Sequence, residues 1–71
     1  MSVRFDGEEK FRVRIVGSHH PHRGTEGTCD PQHIVHPDSV PMASVRFDRT
    51  MEPGVDGCFA AEHELERIDA T

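Results

Sequence analysis

The sequence predicts a small all-β domain, a compact antiparallel barrel or sandwich, and three observations carry that reading. Apolar and charged residues alternate at Val3-Arg4, Phe5-Asp6, Phe11-Arg12, Val13-Arg14, Val45-Arg46 and Phe47-Asp48. Period-two alternation marks a strand with one buried and one wet face. Turn residues recur between these runs, at Asp6-Gly7, Gly17, Pro21, Pro37 and Pro53-Gly54. The chain has 71 residues, enough for one domain and a shallow core. It lacks Trp and Tyr and has four Phe, so a deep catalytic cavity is not expected.

The elements follow in order. Residues 2–5 and 10–16 read as a hairpin joined by Asp6-Gly7-Glu8-Glu9, since Asp-Gly is a strong two-strand turn. Residues 17–24 are a polar loop. Gly27-Thr28-Cys29 starts a short third strand, and residues 30–39, with Pro31 and Pro37, form a second loop. Residues 41–48 are the clearest strand after the hairpin. A loop over 49–56 leads to a short strand at 58–60, one helical turn at 61–64 and a closing strand at 65–68. A helix over 60–69 competes with that ending, because Ala61, Leu65 and Ile68 share one helical face among good helix formers. On this window alone helix is favoured over strand, tempered by its shortness. Residues 1–10 thus form an extra strand and turn, 11–69 the body, and 70–71 a tail.

The alternation puts Val3, Phe5, Phe11, Val13, Ile15, Val45 and Phe47 inside and Arg4, Arg12, Arg14 and Arg46 outside. Seven Arg and one Lys stand against 13 acidic residues, for a net charge of −5. That balance argues against nucleic acid as the main ligand. Arginines aligned across adjacent strands make a local positive patch that steers an acidic partner. Arginines on a wet strand face also simply keep a sheet soluble. No apolar run reaches the ~20 residues of a membrane span, and no apolar leader region is read at the N-terminus. A cytoplasmic protein is expected, its two cysteines, Cys29 and Cys58, remaining thiols.

The order of Val13-Arg14-Ile15, Glu26-Gly27-Thr28, Val45-Arg46-Phe47-Asp48, Gly54-Val55-Asp56, Phe59-Ala60 and Glu64-Leu65-Glu66 resembles a known superfamily. It is similar to the SH3-like barrel of photosystem I reaction-centre subunit IV. The ferredoxin–thioredoxin reductase variable chain and the C-terminal domain of nitrile hydratase β subunits share that barrel. The resemblance covers about residues 11–68. It implies an SH3-like antiparallel barrel of five or six strands with one short helical turn before the last. It also implies an accessory without chemistry of its own, which docks a protein partner. Arg46 falls where that family carries an arginine on its docking side, whereas Arg4, Arg12 and Arg14 join it by strand parity alone. The chain departs from the photosystem subunit in its added residues 1–10, its His19-His20-Pro21-His22 loop and its acidity. The expected role is therefore a docking subunit for another redox enzyme or metalloenzyme, with an acidic redox protein or larger enzyme subunit as partner. A homodimer would also supplement so small a core. Gly24-Thr25-Glu26-Gly27-Thr28 resembles the glycine turn of KOW-type domains, which implies a nucleic-acid-binding alternative.

The six histidines raise a metal-binding alternative. His19 and His22 are three apart, as are His33 and His36, and Cys29 lies between the pairs. Imidazole and thiolate suit zinc. The plain alternative is solvated histidine in two proline-bearing loops. No nucleophile–base arrangement is defensible, since Ser18 beside His19 and His20 is adjacency in sequence alone. No catalysis is expected.

Overall fold

The computed structural model describes residues 3–49 and 53–68. Five strands form one antiparallel sheet: β1 (Phe11–Ile15), β2 (Glu26–Val35), β3 (Met42–Phe47), β4 (Gly57–Ala61) and β5 (Leu65–Arg67). The spatial order is β4-β3-β2-β1-β5. A single 3-10 turn, Glu62–Glu64, joins β4 to β5. One edge of the sheet therefore passes within a few residues into the other, and the sheet must curl. This is the small SH3-like antiparallel barrel expected, with its helical turn before the last strand.

Strand parity sorts the side chains as the alternation predicts. Phe11, Val13 and Ile15 of β1 point in, with Cys29 of β2, Ala43, Val45 and Phe47 of β3, Ala60 of β4 and Leu65 of β5. Arg12 and Arg14 alternate with them on the wet face. Gly27 and Gly57 answer a separate constraint. A Cβ on Gly27 would lie 2.3 Å from the Arg46 carbonyl oxygen, and one on Gly57 2.7 Å from the Val45 carbonyl oxygen. Both are backbone atoms of β3, so these glycines let the neighbouring strands approach.

Three expectations are corrected. Residues 3–10 form no strand, although Val3 is buried in the core. β1 already pairs with β2 on one side and β5 on the other, so no edge is left for a first hairpin. The segment is instead tied by the Phe5 N–H, which donates to Glu62 Oε2 at 2.7 Å. Ser2 lies outside the described residues. Second, the short strand at 27–29 is part of a ten-residue β2. The register jumps from Asp30↔Ser44 to Ile34↔Ala43, which leaves residues 31–33 as a bulge. Proline has no N–H to lose from a ladder, and a bulge is where a strand tolerates it. Pro31 sits there, buried. Third, residues 30–35, expected in the loop over 30–39, belong to that strand.

The helix over 60–69 does not form. Ala60, Ala61 and Leu65 are all buried. Glu64 caps the turn by accepting the Ala61 N–H at its Oε1, 3.0 Å away. The Val16 N–H donates to the Glu64 carbonyl at 2.8 Å and the Ile68 N–H to the Arg12 carbonyl at 3.0 Å. Ladder bonds along β1 thus outweigh local helix propensity. Asp69 lies outside the described residues.

Candidate docking surface

The wet face of the sheet is a charge lattice set by register. Arg14 stands opposite Glu26 of β2 and Glu66 of β5. Its Nη2 donates to Glu26 Oε2 at 2.9 Å and its Nη1 to Glu66 Oε1 at 3.4 Å. The hydrogen bond to Glu26 leads the effects that raise the Arg14 pKa further. Arg12 forks onto Asp48, with Nη1 on Oδ1 and Nη2 on Oδ2, the latter at 2.6 Å, and its Nη1 also reaches Thr28 Oγ1 at 3.3 Å. The Arg12 hydrogen bond holds the Asp48 carboxyl below the usual carboxylate range. These pairs are about half exposed, so each contributes little to stability. Their effect is electrostatic: Arg12 and Arg14 are neutralised in place, and the expected arginine wall is not a uniform positive patch.

Arg46 differs. It faces Thr28 on β2 and Gly57 on β4, where neither neighbour carries a charge. It is exposed, and it has no ion pair among the described residues. Shallow depressions flank it, one of about 380 Å³ bordered by Ser44, Gly57 and Phe59, the other of about 220 Å³ bordered by Lys10, Thr28 and Asp30. His33 lines both. It rests edge-on against Phe59 with ring centroids 5.5 Å apart, and Phe59 is 39% exposed. The bulge in β2 carries His33. Re-aiming a side chain in this way is a common use of a bulge.

Arg4 lies apart from Arg46, toward Glu66 at the β5 side of the sheet. It borders a separate depression with Val16, Glu62, His63 and Glu66.

The histidine and cysteine set is dispersed. His22 packs edge-on to Phe47 at 5.0 Å, His33 packs on Phe59, and His19, in a turn, and His36, just after β2, are exposed. Among the described residues no three His, Cys, Asp or Glu side chains converge to hold a metal ion. Cys29, the expected substitute ligand, is fully buried in the core, away from the exposed His19 and His36. Burial pushes the Cys29 thiol up to about 12.

His20, which sequence reasoning passed over, makes more contacts than His19. The turns at Gly17–Thr25 fold it against β4. Its Nδ1 accepts the His22 N–H at 3.0 Å, so the neutral ring carries its proton on Nε2. That Nε2–H faces the Phe59 carbonyl at 3.4 Å and Cys58 Sγ at 3.8 Å. A protonated nitrogen cannot take the thiol proton, so this is not a nucleophile–base pair. Burial, reinforced by Glu64, pushes the Cys58 thiol up to about 11. Nothing in the sequence distinguishes His20 from its neighbours, because its partners are about 40 residues away.

Cys29 and Cys58 are both free thiols. Each faces Val45 from opposite sides of β3. Two strand spacings, about 9–10 Å, separate them, beyond the roughly 7 Å span of a disulfide. Both should react with a thiol reagent at pH 8 about a hundredfold more slowly in the folded chain than in urea. An Ellman assay checks this, and rapid labelling of either without denaturant would contradict it. The sign for stability follows. Folded thiols keep protons that unfolded thiols lose, so stability falls as pH rises from about 9 toward 11.

Comparison with known families, curated proteins and solved structures returns no match.

Proposed function

We propose that this chain is a non-catalytic docking subunit that binds an acidic protein surface through the sheet face around Arg46. The observation that carries the reading is the contrast among arginines on one face. Arg12 and Arg14 are occupied by Asp48, Glu26 and Glu66, while Arg46 is left open beside an exposed aromatic ring. An arginine with an aromatic neighbour is a typical centre of binding energy. The surrounding face carries Lys10, Arg12, Arg14 and Arg46 against Glu26, Asp30, Asp48, Asp56 and Glu66, so recognition is local rather than driven by a broad field. The resemblance to electron-transport accessory barrels supplies the context of a redox enzyme or metalloenzyme subunit as partner. Arg12 and Arg14 serve this reading by holding the lattice around Arg46, and Arg4 takes no part.

Reversing the charge tests it. Arg46→Glu should weaken capture of the partner from native-cell extract by roughly tenfold or more, and raising salt from 0.05 to about 0.5 M should weaken the wild-type complex as screening shortens. Arg4→Glu, a reversal of equal size away from the face, should change capture less than twofold. A partner retained equally by wild type and Arg46→Glu at both salt levels would rule the reading out.

A further inference from the structure

We propose that the partner docks as an extended segment added to the open edge of β4, carrying a carboxylate two residues from an apolar side chain. The inference deepens the docking reading and rests on it.

The edge is defined by the ladder. The Phe47 N–H donates to the Asp56 carbonyl at 2.8 Å, which fixes Phe47 and Asp56 as a hydrogen-bonded pair. With period two, Val45/Cys58 and Ala43/Ala60 are the next such pairs. The N–H and C=O of Gly57 and Phe59 therefore point away from β3. β4 is the last strand of the sheet, so no further strand meets them. The Phe59 carbonyl faces His20 Nε2 at 3.4 Å. The Gly57 N–H, the Gly57 carbonyl and the Phe59 N–H have no partner among the described residues. Proteins blunt such edges with charge or proline. β4 reads Gly-Cys-Phe-Ala-Ala and carries neither.

The side chains specify what can be added. Gly57 stands directly opposite Arg46 and presents no side chain on the wet face. A residue of an incoming strand opposite Gly57 thus looks across an empty position at the Arg46 guanidinium. The distance between those two backbones is two strand spacings, about 9–10 Å. Arginine and glutamate side chains together span it. Two residues along, the incoming side chain meets the exposed ring of Phe59. Strand addition of this kind takes affinity from backbone bonds and specificity from alternate side chains. A second copy of this chain fits less well in the register centred on Phe59. Antiparallel pairing of two β4 strands centred on Phe59 sets Asp56 of each against Glu62 of the other, and like charges directly opposite are destabilising.

The probes are two capped heptapeptides of threonine. One has Val third and Glu fifth, the other has these reversed, since strand direction is not fixed by the edge. Amide NMR of the full chain is the readout. One of the two should move the Gly57 and Phe59 amide signals and slow their hydrogen exchange. Replacing its Glu by Gln should weaken binding about two- to fivefold, and Arg46→Gln in the protein should erase that difference. N-methylation of the peptide backbone, or Phe59→Lys in the protein, should abolish binding. The inference is overturned if both peptides leave the Gly57 and Phe59 amides unmoved, if N-methylation has no effect, or if those amides are already protected in a dimer of the free chain. The docking reading stands or falls separately: it survives such a result if Arg46→Glu still releases the native partner, and fails with it if Arg46→Glu does not.

Discussion

Replacing Gly27 with alanine is expected to lower the melting temperature by about 10 °C or more. The added Cβ would sit 2.3 Å from the Arg46 carbonyl oxygen and 2.9 Å from the Arg46 carbonyl carbon. Neither atom belongs to a flexible side chain, so β2 and β3 must part. They are central strands of the sheet, and each is paired on both sides. Overpacking of this kind costs roughly 2–4 kcal/mol. In a domain of this size each kcal/mol moves the midpoint by about 4–8 °C. Gly57→Ala meets the Val45 carbonyl oxygen at 2.7 Å. It should cost less, because β4 is an edge strand free to shift outward. Thermal unfolding followed by far-UV circular dichroism compares them. An unchanged midpoint for Gly27→Ala would mean that β2 and β3 do not approach as described.

Ile15→Ala should be comparably severe, at about 2–5 kcal/mol. Ile15 is fully buried and is among the largest fully buried side chains. It stands at the end of β1, opposite Leu65, where the two edges of the curled sheet meet. Total stability for a chain this short is roughly 4–10 kcal/mol, so the substitution removes much of it. The next residue is the control. Val16 is 36% exposed, and Val16→Ser should shift stability by only about 0.5 kcal/mol. Urea unfolding of the two variants separates them. Equal losses would deny that Ile15 is buried in the core while Val16, just past the end of β1, faces solvent.

The same parity explains what the sequence revealed and what it hid. Val13-Arg14-Ile15 and Val45-Arg46-Phe47 alternate strictly, and burial against a common core leaves a strand with that pattern one orientation. Those strands were legible; the turn before β5 was not, because residues 60–69 locally favour a helix and only the ladder with β1 overrides it. The hairpin at 2–5 was not excluded by its residues, because local pattern cannot reveal that both edges of β1 are taken by segments 12 and 50 residues downstream. Pro31 reads locally as a strand breaker, and only the cross-strand register shows the bulge that accommodates it. The candidate site divides in the same way. Alternation assigned Arg12, Arg14 and Arg46 to one face. It could not say that Asp48 and Glu66, 36 and 52 residues away, would occupy the first two. Arg46 stays open for a reason invisible in its own neighbourhood, since its cross-strand neighbours are Thr28 and Gly57. The histidines have equal sequence contexts, so their sorting into ring contacts and exposed turns depends wholly on long-range packing.

The claim that the Arg46 face is a docking surface is tested most directly by mapping the captured partner onto the chain. Backbone amide signals would be followed while the partner is added to the isotope-labelled protein. The account predicts that the shifts concentrate on Lys10, His33, Ser44, Arg46, Gly57 and Phe59, and that Arg46→Glu removes them at low salt. A footprint centred on Arg4, Glu62 and His63, or one that Arg46→Glu leaves intact, would contradict it.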